Sequence, residues 1–212
     1  MLKTERMDRV RAALRAQGLT QMIVCDPKSV WYLTGVAVEP YERLLALYLP
    51  TEGEPVLFLN RLFNVPEPPC RTVWHTDTDK PVAQIAEVVD AGRPLGIDKE
   101  WPAKFLIPLM ETHPGMQVVL SSDCVDDCRA CKDAEEQTLM REASRINDAV
   151  NEAAKHYIKA GMTEREVAEF IDAQFRAHGC EGPSFTTIVS FGANAADPHH
   201  EPDDTVLKEG DC

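Results

Sequence analysis

The stretch "RLLALYLPTEGEPVLFLN", residues 43–60, consists of two apolar runs divided by Thr51, Glu52 and Gly53. Proline and glycine punctuate the run ends, so the stretch reads as two strands of one sheet. Working outward, helix and strand signals alternate. Upstream, Met7, Val10 and Leu14 mark a first helix that stops at Gly18. "QMIVC" (21–25) reads as a strand closed by the turn composition of "DPKS", and "VWYLTGV" (30–36) as another strand. Downstream, "KPVAQIAEVVDAG" (80–92) reads as a helix with Val82, Ile85, Val88 and Val89 on one face and Gly92 as its stop. "PLGID" (94–98) and "MQVVLSS" (116–122) are short strands with "WPAKFLIPLMETH" (101–113) as a helix between them. This alternation predicts an α/β domain covering residues 1–127.

From Asp133 the pattern changes. Leu139, Ala143, Ile146, Val150, Ala153 and Tyr157 recur at three- and four-residue steps, which predicts one long amphipathic helix from Asp133 to Ala160, ended by Gly161. Thr163 and Glu166 form a capping-box pair. The helix they start buries Val167, Phe170, Ile171 and Phe175 and stops at Gly179. "FTTIVSFG" (185–192) then reads as a strand. Residues 128–212 are accordingly expected to form a second domain.

Composition narrows the function classes. The 212 residues are 44% hydrophobic and 27% charged, ordinary for a soluble globular chain. A net charge of −13 argues against a nucleic-acid partner, which requires a basic face, and against an anionic membrane surface. No apolar run approaches the roughly 20 residues that span a bilayer, and the N-terminus lacks the apolar core of a secretory signal, so a cytoplasmic location is expected. The seven cysteines are then expected as reduced thiols. "CVDDCRAC" (124–131) contains a C-x-x-C but no fourth ligand or second knuckle nearby, and reads as small semi-buried side chains in an interdomain linker. His75, His113, His156 and His178 carry no motif and are expected to be exposed or at helix ends.

The closing residues, "SFGANAADPHHEPDDTVLKEGDC" (190–212), hold the densest chemistry: His199, His200, Glu201, Asp203, Asp204 and Asp211. Residue chemistry alone leaves a metal site, a proton-transfer site or a solvated loop all open. "EPDD" has turn composition, and its acids read as solvated.

Several motifs in order carry a family resemblance. Lys132, Glu135 and Glu136 at a helix start, "GMTERE", "GPSFTTIVSFGANAADPHH" and "LKEGD" closely resemble the first half of the pita-bread catalytic domain of Xaa-Pro peptidases, the group of prolidase and aminopeptidase P. "DPKSVWYLTGV" followed by "EPYERLLALYLP" resembles their creatinase/prolidase N-terminal domain. The resemblance implies an α/β creatinase/prolidase-like domain followed by a partial α+β pita-bread domain. It further implies a homodimeric enzyme that cleaves the peptide bond before proline in a dipeptide or short peptide, using two divalent ions (Mn, Co or Zn) that bridge a hydroxide.

Residue by residue, His199 matches the family's catalytic histidine after proline. Phe185 and Ile188 match the substrate-pocket lining. His200 is placed with them as substrate-binding, at a position that varies in the family. The N-terminal domain can reach a neighbouring subunit's site in this family, a role open to Trp31, Tyr32 and Arg43. The family's metal ligands lie downstream of the "GD" matched by Gly210 and Asp211, so no metal ligand is assigned, Asp211 reads as structural, and this segment alone is expected to bind no metal and to be inactive. Two alternatives stay open: a metal-free pita-bread module that binds peptides or proteins, and a creatinase-like amidinohydrolase.

Overall fold

A computed structural model describes residues 2–211; Cys212, one of the seven cysteines, lies outside the described residues. The chain divides into two compact units, one up to Lys132 and one from Asp133 onward.

In the first unit the elements run α1 (Thr4–Ala16), β1 (Gln21–Val24), α2 (Pro27–Thr34), β2 (Ala46–Pro50), β3 (Val56–Asn60), β4 (Arg71–His75), α3 (Pro81–Ala86), β5 (Leu95–Ile97), α4 (Ala103–Thr112), β6 (Val118–Leu120) and α5 (Asp123–Ala130). The strands form one sheet in the order β4-β3-β2-β1-β5-β6. The two strands of residues 43–60 are neighbours, antiparallel, with Leu47 opposite Leu57. β1 pairs antiparallel with β2 and parallel with β5, while β3–β4 and β5–β6 are parallel.

Successive side chains of a strand face opposite sides of the sheet, and here both sides are buried. Met22, Val24, Leu47, Leu49, Leu57 and Leu59 pack on one side with Met7, Val10 and Leu14 of α1, Val30 and Leu33 of α2, and Cys124 and Val125 of α5. Ile23, Ala46, Val56 and Phe58 pack on the other with Ile85 of α3 and Leu109 of α4. Each fully buried Leu, Val or Met contributes roughly 1.5–3 kcal/mol. The exposed Arg15–Glu52 ion pair at 2.7 Å, worth about 0–1 kcal/mol, is therefore a minor part of how α1 docks.

The structure differs from the sequence expectation in several places. Residues 30–36 are not a strand: Val30 to Thr34 belong to helix α2. Asp26 caps it by accepting the Ser29 N–H at 2.8 Å, Pro27 occupies the first turn, and Gly35 ends it with a left-handed φ of 75°. The buried set Val30, Leu33 and Thr34 follows helical spacing, and Trp31 is left 56% exposed.

"CVDDCRAC" is not a linker but mostly helix α5, and it puts Cys124 in the core. Burial pushes the Cys124 thiol up to about 11, an unreactive state. Arg129 of α5 ties back to α2, donating to Asp26 Oδ2 at 3.2 Å and to Ser29 Oγ at 3.0 Å. β4 was not anticipated, and its His75 is buried rather than exposed, with Nε2 3.1 Å from the Leu44 carbonyl and Nδ1 3.4 Å from Asn60 Nδ2. His113 sits at a helix end as expected, the C-cap of α4.

The second unit contains α6 (Ala134–Tyr157), α7 (Glu164–Ala177) and a 3-10 turn at Gly192–Ala196. Both helices begin with a complete capping box: Asp133 with Glu136, and Thr163 with Glu166. Val150 and Ala154 of α6 and Val167 of α7 are buried, and the Tyr157 and Phe170 rings stack across the two helices, 3.8 Å apart at 4°. The apolar stripe of α6 is only partly covered: Leu139 is 65% exposed.

Residues 185–192 do not form a strand. Among the described residues no ladder partner lies beside them, and a strand's N–H and C=O groups need one.

Candidate functional site: the His199 loop and its buried anchor

The N-terminus of α7 is fastened to the segment after the histidines by backbone hydrogen bonds. The Gly161 N–H donates to Leu207 O at 2.8 Å and the Leu207 N–H to Met162 O at 2.8 Å, while Thr163 and Val206 form an antiparallel bridge. Two further donors of the new helix, the Glu164 and Arg165 N–H groups, reach Thr205 O and Asp203 O, each at 3.2 Å. Helix-start N–H groups lack intrahelical acceptors, and here this neighbouring strand-like segment supplies them.

That clasp places the Glu164 side chain inside the unit, with 0% of the residue exposed. Each of its oxygens accepts two hydrogen bonds. Oε1 takes the Phe191 N–H at 2.7 Å and Asn194 Nδ2 at 3.0 Å; Oε2 takes His200 Nε2 at 2.7 Å and the Asp203 N–H at 3.1 Å. Burial alone would raise this carboxyl. The backbone donors Phe191 and Asp203, joined by Asn194 and His200, outweigh it and hold the group at about 2. The start of a helix also favours a negative charge. Asn194 Nδ2 additionally lies 3.1 Å from Thr205 Oγ1, which links the 3-10 turn to the clasp.

The two adjacent histidines thus have opposite surroundings. His200 is three-quarters covered or more and bound to a buried carboxylate, its side chain only 17% exposed. His199 is exposed, and its backbone N–H donates to Asp197 Oδ1 at 2.9 Å. The expectation for His200 was substrate binding; its Nε2 is directed into the network with Glu164.

Phe185 and Ile188 lie together elsewhere in the unit. They line an apolar groove of about 500 Å³ with Ile146 and Val150 of α6 and Ile171 and Phe175 of α7. Neither His199 nor His200 lines that groove. Asp211 has a local role, its Oδ2 accepting the Lys208 N–H at 2.9 Å.

Glu164, His200 and Asp203 are the one group among the described residues whose potential ligand atoms converge closely enough to hold a cation. Their chemistry does not fit the two-ion centre implied by the family resemblance. All the acceptor capacity of Glu164 is taken by four donors, and Asp203 Oδ1 already accepts the Thr205 N–H at 2.7 Å. A cation would have to displace those donors rather than complete the site. The arrangement can instead order backbone on both sides of His199.

Sequence reasoning missed Glu164 and Asn194. Glu164 lies inside "TERE", where the capping role of Glu166 accounts for an acid and no periodicity separates the buried glutamate from the exposed one.

Comparison with known proteins identifies the class. A family model described as the Creatinase/Prolidase N-terminal domain matches residues 6–131, more than half of the chain, and one described as metallopeptidase family M24 matches residues 138–212. The chain belongs to the creatinase/prolidase N-terminal domain family, and its second unit matches the start of a metallopeptidase M24 domain.

Among its relatives, a probable dipeptidase PepE of Mycobacterium bovis is 31% identical over 209 residues, covering 94% of this chain and 55% of that protein. A putative dipeptidase YkvY of Bacillus subtilis is 28% identical, covering 97% of this chain and 59% of that protein. Of solved structures, dipeptidase PepE from Mycobacterium ulcerans superposes with a TM-score of 0.86 at 29% identity, covering 98% of this chain and 58% of its own. A recombinant prolidase from Thermococcus sibiricus gives 0.88 at 27% identity, covering 100% and 60%. The chain therefore spans a little over half the length of the relatives it matches. Among the described residues, no helix is long and apolar enough to cross a membrane.

Proposed function

We propose that residues 1–212 are the N-terminal portion of an Xaa-Pro dipeptidase, in which His199 meets the substrate or its intermediate and Phe185 and Ile188 contribute apolar lining. The observation that carries this reading is the exposed imidazole-bearing residue at 199, in the family's Pro-His motif, on a loop whose flanks are fixed by a buried carboxylate. An imidazole suits the task because the departing prolyl nitrogen must gain a proton near neutral pH. Relatives named as dipeptidases support the substrate class.

In this reading the divalent ions are held by residues outside 1–212, since the described residues offer no suitable set, and residues 1–212 alone are inactive. The unit boundary is placed at 127/128; the compact units part at Lys132 and the family matches at 131 and 138 lie close to it. A reduced, cytoplasmic setting belongs to this reading. Homodimerisation is part of the same reading.

The test compares purified residues 1–212 with a chain that also carries the coding sequence following residue 212, each incubated with Mn²⁺ and a dipeptide with proline second. Cleavage by the longer chain only is expected. In the longer chain, His199→Ala should lower kcat by about 10²–10⁴-fold at unchanged metal content. Cleavage by residues 1–212 alone would overturn the assignment of the ligands. Creatine hydrolysis by the longer chain, or peptide binding without turnover, would replace the dipeptidase reading.

A further inference from the structure

We propose that Glu164 is the positioning residue of the His199 loop, fixing the backbone on both sides of that histidine through one buried carboxylate; this rests on His199 acting on substrate. Its four donors are spread along the loop rather than clustered. Phe191 and Asn194 precede His199, while His200 and Asp203 follow it. One rigid group on α7 therefore holds a segment of more than a dozen residues at both ends, with residue 199 left exposed between the anchors.

The chemistry requires a carboxylate rather than any polar side chain. The site presents four donors, and only a group with acceptors on both oxygens satisfies them. A glutamine there must turn its NH₂ toward one pair of donors. Facing Phe191 and Asn194, it opposes two N–H groups. Facing His200 and Asp203, it can be met by a change of imidazole tautomer but leaves the Asp203 N–H without an acceptor. Either choice loosens one flank of the loop. A buried ion is also a poor way to gain stability alone, because desolvation offsets much of its attraction. It is a good way to impose a single geometry on several backbone groups at once.

A second connection between the same segments gives the control. Arg165 Nε reaches Asp204 Oδ1 at 3.1 Å, but the two side chains are 55% and 84% exposed. Those side chains are mostly in water and bond neither the Phe191 nor the Asp203 amide; the Arg165 backbone N–H, which reaches Asp203 O, is kept in an alanine variant.

The experiment has two arms. In residues 1–212, hydrogen exchange is followed at the Phe191 and Asp203 amides. Glu164→Gln should accelerate at least one of the two roughly ten- to hundred-fold, Asn194→Ala should accelerate Phe191 less, and Arg165→Ala should leave both unchanged. In the longer chain, Glu164→Gln should lower kcat about 10–100-fold with KM within about two-fold and metal content unchanged, because a misplaced group costs turnover before binding. Unchanged exchange in Glu164→Gln overturns the proposal, and so does accelerated exchange with wild-type kcat. If the wild-type longer chain cleaves no Xaa-Pro dipeptide, the dipeptidase reading fails, and the exchange arm alone decides whether Glu164 orders the loop.

Discussion

Asp26→Ala tests whether residues 27–34 are held as a helix, the largest local departure from what their composition suggests. Asp26 Oδ2 accepts the Ser29 N–H at 2.8 Å, the Ser29 hydroxyl at 2.7 Å and Arg129 Nη1 at 3.2 Å. Losing an N-cap costs about 1 kcal/mol. The Arg129 pair, with side chains 35% and 20% exposed, adds up to about 1 kcal/mol after solvent screening. Ser29 Oγ retains Arg129 as a partner, so no large further penalty arises. The expected loss is about 2 kcal/mol for Asp26→Ala and at most about 1 kcal/mol for Asp26→Asn, which keeps the cap and removes the charge.

The assay is urea unfolding followed by tryptophan fluorescence. All three tryptophans, Trp31, Trp74 and Trp101, lie in the first unit, so the signal reports that unit alone. With a slope of about 1.5 kcal/mol per molar urea, the midpoint should fall by about 1.3 M for Asp26→Ala. A shift under about 0.3 M with unchanged slope would refute the capped-helix account. Equal shifts for the Ala and Asn variants would refute the division between cap and charge.

Two further outcomes follow from packing and charge. Gly96 lies in β5 where an added Cβ would sit 2.5 Å from Ser121 Oγ and 3.2 Å from the Gln21 carbonyl, so Gly96→Ala should cost about 1–3 kcal/mol in the same fluorescence assay; a neutral result would mean β5 and β6 do not approach as described. Glu164 is held at about 2, below its ordinary 4.5, so the folded form favours the charged group. Its contribution is complete above about pH 4.5 and is lost as pH falls toward 2. Exchange protection at Phe191 and Asp203 should decline over that window in the wild type and be flat there in Glu164→Gln; matching profiles would remove Glu164 as the cause.

What the sequence revealed and what it hid follow from the range of each interaction. The strands of 43–60 were legible because apolar runs and turn residues are local, and the Thr163–Glu166 capping box because it spans four residues; the matching box at Asp133 and Glu136 emerged only in the structure. "VWYLTGV" reads as a strand because its aromatic and β-branched content favours one, while its helical state is imposed by Asp26 and Pro27 before it and by Gly35 near its end. β4 is a five-residue edge strand with too little periodicity to stand out, and α5 is only eight residues long with just Cys124 and Val125 buried, too short for a helical repeat. "FTTIVSFG" has strand composition, but composition cannot provide a ladder partner.

At the site, His199 stood out through its motif. Glu164 did not, because its importance comes from donors far along the chain that only folding brings to it. The environment of His200 was hidden for the same reason.

The clasp between residues 161–165 and 203–207 has a consequence for variation among relatives. With both ends tied by backbone hydrogen bonds, the chain between them is a closed loop, and closure cost grows only with the logarithm of length, about 0.6 kcal/mol per doubling. The exposed turn at 181–184 can thus gain or lose residues without moving the ends of the loop. Because Phe185 follows that turn directly and residues 182–184 line the groove with it, a change of length there would reshape the apolar groove while leaving the clasp's backbone hydrogen bonds in place.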